Sequence, residues 1–195
     1  MMTLTLDMRS ADLALSEADF YRLCQANPDI KLELTAEGRL ILMPPTGWGT
    51  GNRNIGLAAQ VDNWARRDGS GLAFDSSTGF RLPDGAIRSP DVAWVRRSRI
   101  EAIAPDPDKF LPLCPDFAIE LRSANDTLST LQAKMQSYLD NGLLLGWLID
   151  PQNQTVEIYR PDNQLNKPVE TVSFSSPLSG ESILPGFRID LGKIL

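Results

Sequence analysis

The chain has 195 residues, of which 42% are hydrophobic and 23% are charged, the ordinary composition of one globular domain. It contains no histidine, which excludes Ser-His-Asp and Cys-His nucleophile systems and any imidazole general base. The net charge of −6 argues against a general nucleic-acid binder, whose affinity would rest on neutralising phosphates.

The positive charge is concentrated in the middle of the chain. Between residues 50 and 100 there are eight arginines and five aspartates, with no other charged residue. This excess predicts a modest basic stripe that holds a DNA backbone, and ordinary surface arginine is the alternative.

The N-terminal residues 1–15 lack the basic start, apolar core and cleavage site of a signal peptide. No apolar run approaches the roughly 18 residues that a membrane-spanning helix needs. We therefore expect a cytoplasmic protein without membrane contact, consisting of a loosely attached arm (1–15) and a single domain (16–195). Cys24 and Cys114 are too few for a disulfide framework and are expected to be unpaired.

The first predicted elements are a helix and a hairpin. Ser16 is a helix N-cap followed by acidic residues, and the helix should end near Pro28. Residues 31–43 alternate as a β-hairpin that carries Glu33 in its first strand. The segment 44–51, rich in proline and glycine, predicts a flexible connector, and the apolar spacing that follows predicts a helix over 54–67.

The next stretch predicts short strands. Residues 71–74 and 79–82 read as two strands joined by a serine-rich turn and feeding one sheet. A third strand, 89–95, begins with Ser-Pro and carries Asp91 before its apolar residues. Residues 96–114 form a long polar connection.

The segment 115–123 reads as a short buried strand with a carboxylate inside it. Phe117, Ile119 and Leu121 point to one face, whereas Glu120 and Arg122 point to the other. An isolated buried carboxylate costs several kcal/mol unless a partner neutralises it. Arg122 or a metal ion is the expected partner.

The last third of the chain predicts a helix and closing strands. Apolar residues repeat along one helical face over 128–139, a segment that carries Lys134. Strands follow at 143–149 and 155–159, joined by a turn in which Asp150 is expected to shape the backbone. Weaker strands near 170–174 and 186–190 complete an α/β (α+β) domain with a mixed sheet flanked by helices.

The order of these motifs resembles the PD-(D/E)XK nucleases and, more narrowly, the Uma2 family of putative restriction endonucleases. The resemblance covers roughly residues 16–190. It rests on Ser89-Pro90-Asp91-Val92, Ile119-Glu120-Leu121-Arg122-Ser123, Lys134 with Tyr138, Gly146-Trp147-Leu148-Ile149-Asp150-Pro151, and the hairpin 32–45.

The resemblance implies a restriction-endonuclease-like fold and a metal-dependent endonuclease that cuts DNA, most simply double-stranded DNA cut by a homodimer. Asp91 and Glu120 would bind Mg²⁺ or Mn²⁺, which oxygen ligands favour. Glu33 would be an additional acid of the site, and a solvent-facing strand residue is the alternative. The lysine that usually follows the acid by two residues is replaced by Arg122, which stays protonated. Lys134 on the next helix is the candidate substitute.

Three alternatives remain at this level. The charged residues could form a structural network in which Arg122 and Lys134 neutralise Asp91 and Glu120. The chain could be a catalytically silent module that binds DNA or protein on the same scaffold. It could also be a different metal-dependent phosphodiesterase.

Overall fold

A computed structural model describes residues 3–161 and 170–193. Its four helices are α1 (Glu17–Ala26), α2 (Trp48–Asp68), α3 (Arg97–Ile103) and α4 (Leu128–Asp140). The strands are β1 (Leu4–Asp7), β2 (Lys31–Leu34), β3 (Arg39–Met43), β4 (Gly71–Asp75), β5 (Phe80–Arg81), β6 (Ile87–Arg88), β7 (Val92–Arg96), β8 (Phe117–Leu121), β9 (Leu145–Asp150), β10 (Thr155–Tyr159), β11 (Glu170–Ser173), β12 (Leu178–Ser179) and β13 (Arg188–Ile189).

A six-stranded mixed sheet forms the centre of the fold. Its strand order is β11-β10-β9-β8-β7-β4, and only the β8–β9 pair within it is parallel. A second sheet has the order β1-β3-β2-β6-β5, and β12 pairs with β13. The predicted class, a mixed sheet flanked by helices with an N-terminal hairpin, is confirmed.

The two faces of β8 pack against different helices. Phe117, Ile119 and Leu121 belong to one apolar cluster with residues of α2, whereas Ala118 belongs to a second cluster with Met135 of α4. This is the alternation that the sequence predicts. It leaves Glu120 on the α4 side of the central sheet.

The helix α1 begins as predicted. Ser16 and Asp19 form a capping box, in which the Ser16 hydroxyl accepts from the Asp19 backbone and the Asp19 carboxylate accepts from the Ser16 backbone. None of the helices in the described ranges is both long enough and apolar enough to cross a membrane.

Several predicted elements are wrong in detail. The expected arm contains β1, which pairs with β3 although its four residues are exposed. The glycine-rich connector ends early, since α2 already begins at Trp48 instead of Asn54. The long polar connection contains α3.

The strands β4 and β5 do not feed one sheet. The first pairs with β7 in the central sheet, whereas the second pairs with β6 in the other sheet. A serine-rich turn therefore leads from one sheet to the other, and β6, which the sequence did not reveal, connects β5 to β2.

Candidate active site

Asp91 and Glu120 lie on neighbouring strands. Val92 is paired with Ile119 in the antiparallel β7–β8 ladder, and one more step of the same register places Asp91 across from Glu120. The Asp91 carboxylate accepts hydrogen bonds from the Leu121 backbone N–H at 2.8 Å and from Asn54 Nδ2 of α2 at 3.2 Å. The strand β8 and the helix α2 thus hold this carboxylate in place.

Glu120 is almost completely buried, and its carboxylate contacts side chains of the helix α4. Its Oε1 accepts a hydrogen bond from the Tyr138 hydroxyl at 3.0 Å and lies 2.8 Å from Lys134 Nζ. Lys134 and Tyr138 stand four residues apart and so share one face of α4. Lys134, the candidate substitute for the missing motif lysine, therefore reaches the buried acid from α4.

Glu33, on β2, is also buried and is saturated with partners. Its Oε1 accepts from Lys134 Nζ at 2.8 Å and from the Ser89 backbone N–H at 2.9 Å, and its Oε2 accepts from Arg88 Nη1 at 3.2 Å. Lys134 therefore bridges Glu33 and Glu120. The alternative of a solvent-facing strand residue is wrong for Glu33.

The two bridged glutamates have opposite pKa shifts. Burial is the main cause that raises the pKa of Glu120, and together with the negative charges of Asp91 and Glu33 it outweighs the attraction of Lys134, so that the pKa rises to about 7. Burial also opposes ionisation of Glu33. The positive charges of Lys134 and Arg88 outweigh this penalty and lower the pKa of Glu33 to about 2.

Lys134 is held in its charged form. Burial lowers its pKa, but the attraction of Glu120 and Glu33 is stronger and raises the pKa above the ordinary lysine value. An ammonium with a raised pKa donates hydrogen bonds and stabilises negative charge, and it does not accept a proton from water near neutral pH.

The titration of Glu120 predicts a pH-dependent loss of stability in metal-free protein. Between pH 4.5, the ordinary pKa of the group, and about pH 7, Glu120 keeps its proton in the folded state but loses it in the unfolded state. The stability that Glu120 contributes below pH 4.5 is therefore lost as the pH rises to about 7. Over this window the free energy of unfolding of the wild type should fall relative to Glu120→Gln by on the order of 1 to 3 kcal/mol. Denaturant unfolding in a chelator at several pH values measures this difference.

The titration of Glu33 does not overlap with the pH range of that measurement. Its low folded pKa means that its stabilising contribution is complete above pH 4.5 and is lost only as the pH falls towards 2. Glu101→Gln, at an exposed position of α3, is the matched control and should follow the wild type. Parallel curves for the wild type and Glu120→Gln would contradict the raised pKa.

Arg122 does not join the site. Its Nη1 donates to Asp150 Oδ2 at 2.8 Å and its Nε donates to the Asp126 carbonyl at 3.2 Å. Among the described residues it has no hydrogen bond or ion pair with Glu120 or Asp91. The prediction that Arg122 neutralises the buried acid is therefore wrong. Asp150 also accepts from the backbone N–H groups of residues 152 and 153, which confirms its role in the turn.

The site opens into a cleft of about 890 Å³. Glu33, Arg88, Asp91, Glu120 and Lys134 all line it. Much of the remaining wall consists of hydroxyl and amide side chains, among them Thr46, Thr50, Asn54, Ser123, Asn125, Thr127, Ser129 and Thr130. Three further carboxylates, Asp29, Glu37 and Asp126, also line it.

The basic residues between 50 and 100 do not form one stripe along this cleft. Arg88 lies inside it, and Arg81 is paired with Glu17. Five others lie at the far ends of α2 and β7 or just beyond, and the one that ends β7, Arg96, is about 17 Å along the strand from Asp91 at 3.4 Å per residue. They are Arg66, Arg67, Arg96, Arg97 and Arg99.

Sequence reasoning missed two residues of the site, Arg88 and Asn54. Arg88 could have been noticed as a charge in an apolar strand three residues before Asp91, and it is 7% exposed. Asn54 carries no signal of its own, because its contact with Asp91 depends on where α2 crosses the sheet.

The carboxylate oxygens at this site suit a divalent ion that keeps part of its water shell better than one enclosed entirely by protein ligands. Within the described ranges no three acidic or cysteine side chains converge as a metal cage. Mg²⁺ retains several waters and commonly uses one or two carboxylates. Asp91 and Glu120 supply two, and both contacts of Glu120 fall on Oε1, which leaves Oε2 as a ligand atom.

A mixed sheet with acids on adjacent strands and a lysine on the following helix defines the restriction-endonuclease-like class of nuclease folds. Within that class, the chain belongs to the Uma2 family, described as putative restriction endonucleases, whose family model matches residues 17–192. The family assignment made from the sequence is thereby confirmed, and membership of this family supports a nuclease function in general.

A solved structure shares this fold. It is a putative nuclease belonging to the DUF820 family from Anabaena variabilis, with a TM-score of 0.74 and 21% sequence identity over 92% of this chain and 97% of that chain. No curated protein matches the sequence.

Proposed function

We propose that this protein is a metal-dependent endonuclease that hydrolyses phosphodiester bonds of DNA. The observation that carries the proposal is the convergence, in one open cleft, of Asp91 and Glu120 from adjacent strands with the charged Lys134, whose Nζ lies 2.8 Å from Glu120. Membership of the Uma2 family supports nuclease chemistry, and the metal and the substrate are our proposal.

Phosphodiester hydrolysis needs an activated water and neutralisation of the charge that grows on the phosphate. Asp91 and Glu120 would hold a Mg²⁺ or Mn²⁺ ion. When bound, the ion would activate the water and neutralise the charge on the phosphate. Lys134, fixed by two carboxylates, places a positive charge beside the same phosphate. Glu33 keeps the lysine in this position.

The walls of the cleft suit a phosphate backbone. Hydroxyl and amide groups donate to phosphate oxygens without fixing a base sequence. Cleavage of both strands of a duplex is simplest with two sites, so we propose a homodimer on double-stranded DNA as the cutting form.

A nuclease assay tests the proposal. Wild-type protein with Mg²⁺ or Mn²⁺ is incubated with a mixture of plasmid, linear duplex and single-stranded DNA, and RNA is included for comparison. We expect cleavage of DNA that a chelator abolishes. Glu120→Gln should reduce it by about 10²- to 10³-fold, the usual effect of removing one group that stabilises the transition state.

Arg122→Gln is the matched control, because Arg122 occupies the position of the motif lysine but contacts Asp150 instead. It should retain most of the activity if it folds. Wild-type protein that cleaves no DNA with either metal would refute the proposal. Preferential cleavage of RNA would instead favour a different phosphodiesterase.

A second candidate function is a catalytically silent binding module. The observation that favours it is that Lys134 and Arg88 already pair with Glu33 and Glu120, two cations for two carboxylates. Such a module would bind DNA or a protein without binding a divalent metal at Asp91 and Glu120. Metal binding therefore separates the two functions.

A further inference from the structure

The hydroxyl group of Tyr138 is not required for packing of the core. Tyr138 of α4 is fully buried in the apolar cluster that also contains Met135, Leu148 and Tyr159. A phenylalanine ring would fill the same space, whereas a phenol in apolar surroundings loses its hydrogen bonds to water unless a partner replaces them. The partner here is the Glu120 carboxylate, 3.0 Å away. The hydroxyl therefore belongs to the candidate active site.

The contacts of Glu120 divide its two oxygens. An ionised carboxylate only accepts hydrogen bonds, so Tyr138 is the donor to Oε1. Lys134 Nζ lies 2.8 Å from the same oxygen. Within the described ranges Oε2 has no hydrogen bond or ion pair, and it is not one of the enclosed side-chain atoms that lack a partner. Because Glu120 lines the cleft, Oε2 is the oxygen that faces it.

The two donors to Oε1 differ in rigidity. Lys134 carries its ammonium on a flexible four-carbon stem and shares it between Glu33 and Glu120. Tyr138 has only two side-chain torsions, and the core encloses its ring. The terminal torsion of a glutamate is broad, so a carboxyl held by one mobile donor turns at little cost. The phenol is therefore the donor that fixes which oxygen of Glu120 faces the cleft.

We propose that Tyr138 is a positioning residue of the metal site, whose hydroxyl holds Glu120 Oε1 and thereby keeps Oε2 turned towards the cleft as a ligand atom for a divalent ion. The inference rests on the proposed function, because it requires that Glu120 binds the ion. Tyr138 is fully buried and acts through Glu120. Partners that orient a metal ligand in this way typically contribute about 10- to 100-fold to metal affinity.

The alternative is a purely structural contact, in which the hydroxyl compensates the burial of Glu120 and leaves the orientation of the carboxylate to Lys134. Loss of such a contact would lower the stability of the protein and leave the metal affinity of the folded state unchanged. Tyr138→Phe separates the two roles. It removes the hydroxyl and keeps the ring, whose centroid lies 6.0 Å from Lys134 Nζ.

Calorimetric titration with Mg²⁺ tests the positioning. It is carried out at about pH 8 and about pH 9, both above the pKa of Glu120 of about 7, so that the carboxylate is ionised. Tyr138→Phe should bind Mg²⁺ about 10- to 100-fold more weakly than the wild type at both pH values. The Mg²⁺ concentration for half-maximal DNA cleavage should rise by a similar factor. The rate at saturating Mg²⁺ should stay within about threefold, because both carboxylates and Lys134 remain.

Tyr159→Phe is the matched control. Tyr159 lies in the same cluster, is equally buried, and donates its hydroxyl to Glu157 at 2.7 Å, a carboxylate that does not line the cleft. This variant should bind Mg²⁺ within about twofold of the wild type, since it loses a comparable hydrogen bond without touching the site. Denaturant unfolding in a chelator measures the folded fraction of both variants at the temperature of the titration.

Four outcomes would overturn the inference. The first is equal Mg²⁺ affinity of the wild type and Tyr138→Phe. The second is an equal loss of affinity in Tyr138→Phe and Tyr159→Phe, which would reflect a general loosening of the core. The third is a loss at pH 8 that disappears at pH 9, which would assign the effect to protonation of Glu120. The fourth is a Tyr138→Phe variant that does not fold, which would give the hydroxyl a structural role.

The wild type separates these failures from that of the proposed function. A wild type that binds no Mg²⁺, even with DNA present, refutes the proposed function and the positioning with it. A wild type that cleaves DNA, and whose Mg²⁺ affinity Tyr138→Phe shares, retains the nuclease and loses the positioning. A wild type that binds Mg²⁺ more tightly than Tyr138→Phe but cleaves nothing retains the positioning and loses the nuclease.

Discussion

Replacement of Lys134 by methionine is expected to reduce DNA cleavage by about 10²- to 10³-fold, because it removes the positive charge beside the phosphate. It should also lower the free energy of unfolding by about 3 kcal/mol, since Glu33 and Glu120 are left buried without the ammonium that bridges them at 2.8 Å. Cleavage rates and denaturant unfolding at the same pH measure the two effects.

Two further variants separate charge from stability. The double variant Lys134→Met/Glu33→Gln lacks one of the two carboxylates that Lys134→Met leaves buried without a partner. Its free energy of unfolding should therefore partly recover, while its DNA cleavage stays low. Lys109→Met is the matched control, because Lys109 is exposed and lies over the ring of Tyr21 outside the cleft. Wild-type cleavage by Lys134→Met would remove Lys134 from the catalytic machinery and leave it a structural role.

The second large effect concerns the metal. Calorimetry of the wild type with Mn²⁺ should detect binding that both Asp91→Asn and Glu120→Gln abolish, because each substitution removes one of only two carboxylates that face each other across β7 and β8. The binding should strengthen as the pH rises through about 7, since the metal requires ionised Glu120 and burial raises the pKa of that group to about 7.

Glu33→Gln is the informative comparison for metal binding. Both Glu33 oxygens already accept hydrogen bonds from Lys134, Ser89 and Arg88, so that this variant should still bind Mn²⁺ while cleaving poorly. Complete loss of binding in Glu33→Gln would instead make Glu33 a ligand. A wild type that binds no Mn²⁺, even with DNA present, would end the nuclease proposal in favour of the silent module.

Local pattern was sufficient to predict much of this fold. The alternation of β8 placed Phe117 and Ile119 on one face and Glu120 on the other, and the apolar spacing of 128–139 identified α4. Elements with a weaker pattern were not predicted. The exposed strand β1 has no buried face to show a period of two, and α3 has no buried residue to show a period of 3.6.

The sequence by itself was sufficient to single out Asp91 and Glu120, because both are charges set against apolar strands, and a buried charge requires a partner. It could not determine the partners. Arg122 is two residues from Glu120 but turns to Asp150, whereas Lys134 and Arg88 reach Glu33 from 101 and 55 residues away. The period of a strand defines the face on which a side chain lies. Only the packing of β2, β6 and α4 against that face decides which cations meet the carboxylates there.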